Sequence, residues 1–289
     1  TPWAHEASDI APDPAVRFGA LPNGMRYALL KNQLPPGAVS IRMSVDFGSL
    51  DEAENEKGLA HFIEHMAFNG SKNVAEGEMV RTLERLGLAF GADTNASTGQ
   101  DFTTYQLELP NASDQLLDES LFLLRELASE LTFNPEAIDR ERGVVLSEWR
   151  RGDNFQRRRN KQELDFLIPD AYAATRMPIG DAAVLETATR EMMVSLYERY
   201  YRPERTVLIL VGDFDVDVLE KKILDRFSDW AGRGVAGKTP DIAYTPRARP
   251  SEASVFVHKD GGDSISVYSL MPYTNLPDTG ANRREDNLQ

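Results

Sequence analysis

Apolar and polar residues alternate along the first part of the chain in the pattern of β-strands. Residues 16–21 and 25–32 are two such runs, separated by a Pro-Asn-Gly turn at residues 22–24, and residues 38–47 carry apolar side chains at alternate positions. Alternation of this kind buries one face of a strand, and a short turn with glycine joins antiparallel neighbours. The sequence therefore predicts that the chain opens with antiparallel strands.

Helices are predicted where apolar residues recur every three or four positions. The segments with this spacing, besides one at residues 59–66, are residues 76–88, 114–131, 135–151, 187–201 and 216–230. Ser113 stands before the second of these segments as an N-cap residue. The stretch at 177–186, which lies between two of the helices, is predicted to be a loop.

Two further apolar runs, residues 103–109 and 206–215, are predicted strands, and turns are expected at Gly91, Asn95 and Gly99. A strand at residues 103–109 could lie at a sheet edge and accept an extended peptide as an additional strand. An ordinary sheet strand explains the same pattern equally well.

The composition changes near the end of the chain. Glycine, proline, arginine and threonine become frequent from residue 232 to residue 250, and two strand-like runs follow within residues 254–273. Forty residues are too few for an independent domain. We therefore predict three parts, which are a main domain at residues 16–235, a linker at 236–250 and the start of a second domain at 251–289.

The segment HFIEH, residues 61–65, carries the clearest chemical signal. On a helix, His61, Glu64 and His65 lie on one narrow stripe, and the opposite side is apolar. Two imidazoles one turn apart can bind a single Zn²⁺, and a carboxylate on the same face can reach water at that ion. A helix with two incidental histidines is the alternative, but the clean apolar face favours a metal hydrolase.

Overall charge and composition narrow the possible partners and ligands. The chain has 32 basic and 46 acidic residues, a net charge of −14, which argues against nucleic acid or an anionic membrane as the main partner. Neither an apolar run long enough to cross a membrane nor a signal peptide is recognised. The chain has no cysteine, so histidine and carboxylate are the strong metal ligands available. A cysteine-free chain also fits the periplasm.

A third ligand is expected from the helix at residues 135–151. Ile138, Glu141, Val145 and Glu148 share one face of it, and acids in an apolar stripe need a compensating charge. Glu141 and Glu148 are two turns apart, about 10 Å along the axis, so one ion cannot bind both directly. One should ligate the metal and the other support it, and the helical face alone does not rank them. Pairing with nearby arginines is the alternative.

These motifs together resemble the insulysin/pitrilysin family of zinc peptidases, and most closely its periplasmic bacterial members. The similar segments are HFIEHMAFNGSKN, TNAST with TTYQLELP, ERGVVLSE and YYRPERTVLILVGDFD. The resemblance implies an α+β fold, a two-layer sandwich of a mostly antiparallel sheet and helices.

The resemblance also implies roles for the acids and histidines. One zinc ion would be bound by His61, His65 and Glu148, with Glu64 as general base and Glu141 as a second catalytic acid beside the site. The interval from His65 to Glu148 is a few residues longer than is usual in the family. We assign the excess to loops around residues 70–77 and 88–100; otherwise Glu141 would be the ligand.

The family further implies a substrate and a partner. Asn95, Ala96 and Thr98 match the segment that binds substrate as an added strand. Active members enclose a peptide or unfolded polypeptide between two halves, so this chain would be the N-terminal, metal-binding portion of a longer zinc endopeptidase that also needs a C-terminal half. A scaffold or peptide-binding member that does not cut is the alternative function.

Overall fold

A six-stranded sheet forms the framework of the protein, seen in a computed structural model that describes residues 3–246, 249–271 and 276–286. The strands are β1 Val16–Ala20, β2 Arg26–Lys31, β3 Val39–Val45, β4 Thr94–Thr98, β5 Thr103–Leu109 and β6 Thr206–Gly212. Their order across the sheet is β1-β2-β6-β3-β5-β4. Only the β2–β6 pair is parallel among these strands, so the sheet is mostly antiparallel.

Nine α-helices are present in the part of the chain that the structure describes. They are α1 Leu59–Met66, α2 Glu78–Arg85, α3 Asp114–Ser129, α4 Pro135–Gly152, α5 Phe155–Leu167, α6 Ala182–Thr187, α7 Arg190–Tyr200, α8 Val216–Phe227 and α9 Gly280–Asp286. None of the described helices is long and apolar enough to cross a membrane.

The helices cover one face of the sheet. In β3, Ile41 and Met43 are fully buried, whereas Ser40 and Arg42 on the other face stay partly accessible, and β5 shows the same alternation. Burial on one face only is what period-two alternation predicts for a half-covered sheet. The predicted two-layer α+β architecture is therefore confirmed.

Helix α1 is held deep between its neighbours. Phe62 and Ile63 are fully buried, and the helix packs against α4, α7 and strand β4. At its start, Gly58 adopts a positive φ of 95°, and the buried carboxyl group of Glu52 accepts hydrogen bonds from the amides of Gly58 (2.9 Å) and Ala60 (2.7 Å). These bonds satisfy amides that a helix N-terminus leaves unpaired.

The position of the sheet edge corrects two sequence predictions. The strand at residues 103–109 is not an edge strand, because β5 pairs with β3 on one side and with β4 on the other. The turn expected at Asn95 is also wrong, since Asn95 lies within β4, which forms the edge. The sequence did not predict this strand because its residues are mostly polar. An edge strand buries little apolar surface and so shows no clear apolar alternation.

Two other predicted elements differ from the structure. The loop predicted at 177–186 contains most of α6, and the helix predicted from residue 187 begins at Arg190 after the N-cap Thr189, whose hydroxyl accepts from the amide of Met192. Thr189 favours a helix start at that point.

The two strands predicted within residues 254–273 do not form in the part of this segment that the structure describes, which ends at residue 271. Val257 and Ile265 are 85% and 95% exposed there. A strand requires a neighbouring strand to which its backbone is hydrogen-bonded, and among the described residues this segment contacts side chains of α5, such as Gln162, but pairs with no strand. Residues 272–273 of the second run lie outside the described part of the chain.

Candidate active site

The two imidazoles of HFIEH point to a common position. His61 and His65 lie one turn apart on α1, and their Nε2 atoms are 3.2 Å from each other. Their side chains are only 13% and 19% exposed. Helix periodicity puts the two rings side by side, because residues four apart share a helix face.

The carboxylate of Glu148 completes the cluster from α4. Its Oε2 atom lies 3.7 Å from Nε2 of His61 and 3.5 Å from Nε2 of His65. Ligands about 2.0 to 2.1 Å from a tetrahedral zinc ion are separated from one another by about 3.4 Å. The three donor atoms are therefore spaced as zinc ligands are, and this group could hold a metal ion.

Glu141 lies on the far side of His65 and not among these donors. Its Oε1 atom is 2.7 Å from Nδ1 of His65, and its Oε2 accepts a 3.2 Å hydrogen bond from Asn69. Asn69 also donates to the backbone oxygen of His65. A carboxylate at Nδ1 fixes the ring so that Nε2 is presented to a metal. The structure thus places Glu148 in the donor set and Glu141 behind one histidine.

Glu64 lies on the same helix face, close to the two rings. It is 9% exposed, and its Oε2 accepts a 2.6 Å hydrogen bond from the hydroxyl of Thr98 at the end of β4. Burial raises the pKa of Glu64 above the ordinary value, although the Thr98 bond and the nearby His65 act in the opposite direction. A raised pKa suits a carboxylate that must accept a proton and release it again.

The pKa values of the two histidines are shifted in opposite directions. Burial, and then repulsion from His65, lower the pKa of His61 to about 4. Burial also acts to lower the pKa of His65, but the hydrogen bond and charge of Glu141 outweigh it and raise that pKa. The ring of His61 is consequently neutral, as a ligand must be, over the whole physiological range.

Strand β4 carries the three residues predicted to contact substrate. Asn95 is exposed, and Ala96 and Thr98 are half-buried. The strand pairs with β5 along one side, and α1 packs against it. Among the described residues no other strand pairs along its outer edge. Thr94 at the start of β4 forms an isolated bridge to Phe90, and the amide of Ala96 donates to the Asn95 side chain at 2.9 Å, so the edge beside the candidate metal centre is open to a strand only beyond Thr94.

Sequence reasoning missed two residues that support this centre. Asn69 lies four positions after His65, in the turn that follows α1, and this spacing could have revealed it. Glu52 lies six residues before the helix-opening Gly58, and its hydrogen bonds to the helix amides depend on a loop path that no local pattern indicates.

Two histidines and a distant glutamate around one position, with a buried carboxylate beside them, define the site of a metal-dependent hydrolase. The chain belongs to the insulinase family of peptidases (peptidase family M16), whose model matches residues 27–178. A second model, for the inactive domain of that peptidase family, matches residues 187–283. The predicted family is confirmed.

Curated relatives and solved structures agree with this assignment. The chain is 35% identical to the probable zinc protease PqqL of Escherichia coli over 94% of its own length and 28% of the relative's. It is 36% identical to the protein of the same description from Haemophilus influenzae, over 75% of this chain and 23% of that one. The chain thus spans about a quarter of the length of these relatives.

A crystal structure of the first half of the periplasmic protease PqqL from E. coli is similar in fold. It superposes with a TM-score of 0.76 at 33% identity and covers 80% of this chain and 50% of that one. The similarity covers the N-terminal portion of the longer protein, as the resemblance of the motifs implied.

Proposed function

We propose that this chain is the N-terminal, zinc-binding part of an endopeptidase that hydrolyses peptide bonds. The observation that carries the proposal is the convergence of His61, His65 and Glu148 at zinc-ligand spacing, with Glu64 on the same helix face. A metal-dependent hydrolase needs a metal site and a base within reach of one water molecule, and the arrangement supplies both.

Each acid has a separate task in this proposal. When bound, the zinc ion would act as a Lewis acid that polarises the scissile carbonyl and lowers the pKa of a water molecule, so that this water can lose a proton and attack the carbonyl. Glu64 accepts the proton of that water and delivers it to the leaving amine. Glu141 holds His65 by its Nδ1 atom and keeps Nε2 directed at the metal.

The substrate would bind as an added strand along β4. An extended peptide would hydrogen-bond to the edge of that strand at Asn95 and Ala96, after displacing the Asn95 side chain that accepts from the Ala96 amide at 2.9 Å. Because α1 packs against β4, the peptide backbone would then lie near the helix that carries the histidines. Recognition through the backbone selects an extended or unfolded polypeptide rather than a particular side chain. A folded protein would have to open locally to bind.

The proposal extends to the organisation of the whole enzyme. We assign residues 16–235 to the catalytic domain, 236–250 to a linker and 251–289 to the start of a second domain related to the first. The assignment of residues up to 235 to the catalytic domain is supported by β6. This strand lies between β2 and β3 in the same sheet, although it falls in the range of the second family model. A second half of the enzyme would enclose the substrate from the other side.

A periplasmic location belongs to the same proposal. The E. coli relative of known structure is described as a periplasmic protease. The absence of cysteine fits that compartment without requiring it. Fractionation of cells that express the complete polypeptide tests this assignment, because protein found only in the cytoplasmic fraction would contradict it.

Peptide cleavage by the complete polypeptide tests the function. We expect zinc-dependent cleavage of an unfolded polypeptide, full zinc content but no cleavage for Glu64→Gln, and loss of both zinc and cleavage for Glu148→Ala. A protein that binds zinc and peptide but does not cut would instead be a peptide-binding member of the family. A protein without zinc would be a scaffold.

A further inference from the structure

The hydrogen bond from Thr98 to Glu64 joins the edge strand to the proposed base. Thr98 is the last residue of β4, and its Oγ1 donates to Oε2 of Glu64 across 2.6 Å. The two residues are 34 positions apart in the sequence, on separate elements. No other side chain among the described residues is seen to donate a hydrogen bond to this carboxylate.

The bond removes one degree of freedom from a buried acid. A glutamate side chain has three rotatable bonds, and a base must keep one oxygen directed at the reacting water. The bond from Thr98 restrains the carboxylate and occupies one acceptor site of Oε2, whereas Oε1 accepts no hydrogen bond from a described side chain and is open for proton transfer. A charged acceptor makes this a strong hydrogen bond.

The direction of the Thr98 side chain is itself fixed by the sheet. Thr98 pairs in register with Thr103 of β5, and the buried hydroxyl of Thr103 donates to the backbone oxygen of Phe47 at 2.9 Å. A residue in a paired strand can point only to one face or the other. The position of Thr98 in β4 therefore directs its hydroxyl to the sheet face that α1 covers. The open edge of β4, where a peptide would bind as an added strand, lies in another direction.

We infer that Thr98 is a positioning residue that orients Glu64, and not a residue whose side chain contacts the substrate. The inference rests on the proposed function, since it assumes that Glu64 is the base. It gives the Thr98 side chain a role different from the substrate binding that the resemblance implied for Asn95, Ala96 and Thr98 together. Loss of its hydroxyl should slow the chemical step and leave substrate affinity and zinc binding unchanged.

The test compares three variants in the complete, zinc-loaded polypeptide. Thr98→Val keeps the shape and removes the hydroxyl, Thr98→Ser restores a hydroxyl on a smaller side chain, and Thr104→Val is the matched control. Thr104 is a half-buried threonine of the neighbouring strand, and its hydroxyl bonds to Ser44 on the open face of the sheet. The measurements are kcat and KM for one unfolded polypeptide, zinc content by elemental analysis, and the melting temperature.

For Thr98→Val we expect kcat to fall by about 10-fold or more, the effect of losing one hydrogen bond to a charged group. The KM, zinc content and melting temperature should stay close to those of the parent, Thr98→Ser should recover most of the kcat, and Thr104→Val should behave like the parent. A raised KM with unchanged kcat would show that Thr98 binds substrate and overturn the inference. Parental kcat in Thr98→Val would overturn it too.

Failure of the proposed function would look different. In that case the parent polypeptide itself would not cleave peptides with zinc bound, whatever residue stands at position 98. If the parent polypeptide cleaves peptides and Glu64→Gln does not, Glu64 is established as the base. The kinetics of the Thr98 variants can then be interpreted. If Thr98→Val lost zinc together with activity, Thr98 would support the fold of the site as a whole, and orientation of Glu64 would be refuted.

Discussion

Removal of the Glu141 carboxylate should weaken zinc binding without removing a ligand. The bond between Glu141 Oε1 and His65 Nδ1 is 2.7 Å long, and both side chains are less than one-fifth exposed, so solvent screens it little. Loss of such a partner typically costs about 10-fold to 100-fold in metal affinity, or about 1.4 to 2.7 kcal/mol. We expect Glu141→Ala near the upper figure and Glu141→Gln near the lower, because glutamine keeps an acceptor for Nδ1–H.

Zinc affinity is best measured on the metal-free protein by competition with a chromophoric chelator at about pH 7.5. Glu148→Ala, which removes a donor atom, should lose more affinity than either Glu141 variant. Asp139→Asn is the matched control, because Asp139 lies on the same helix with a side chain that is 78% exposed. Equal losses in Glu141→Ala and Glu148→Ala would mean that Glu141 is a direct ligand, and an unchanged affinity in Glu141→Ala would refute its supporting role.

Three further predictions concern stability. Burial raises the pKa of Glu52 to about 8 from the ordinary 4.5, so the stability linked to its protonated form is complete below pH about 4.5 and is lost as the pH rises through about 8. In urea titrations the parent should therefore lose a few kcal/mol of unfolding free energy over that range relative to Glu52→Gln, and parallel pH profiles would contradict this. Removal of zinc by a chelator should lower the melting temperature by several degrees in the parent and in Glu64→Gln but not in Glu148→Ala, and a shift in Glu148→Ala would mean that zinc binds elsewhere. Gly180→Ala should destabilise the protein by at least about 2 kcal/mol, since its Cβ would lie 2.2 Å from Cα of Gly58 at a φ of +70°. Gly143→Ala, in open space on α4, should be neutral or stabilising by up to about 1 kcal/mol, and equal effects in the two glycine variants would show that the contact with Gly58 is unimportant.

The sequence was informative where a structural property depends on neighbours along the chain. The common face of His61, Glu64 and His65 follows from the helical repeat, which backbone hydrogen bonds within α1 set locally. The face shared by Glu141 and Glu148 on α4 follows in the same way. The N-cap of α3 at Ser113 was likewise predictable, and its hydroxyl does accept from the amide of Leu116.

Local patterns failed where the outcome depends on segments distant in the chain. Strand β6 lies between β2 and β3, which precede it by well over a hundred residues. Strand β5 lies inside the sheet because it pairs with β3, a strand distant in the chain, and this leaves β4 at the edge. The polar sequence of β4 gave no apolar alternation to recognise, because the strand's role is to pair on one side only. The resemblance to a family located the substrate segment there, but not its strand structure.

The sequence by itself determined which side chains could bind a metal and on which helix faces they lie, because a helix repeats every 3.6 residues whatever surrounds it. Only the tertiary structure decided how far α4 is shifted along α1, and this shift puts Glu148 among the donor atoms and Glu141 behind His65. It also decided that Thr98 meets Glu64. Such meetings depend on the packing of whole elements, where a shift of one helical turn, about 5.4 Å, exchanges one residue for another.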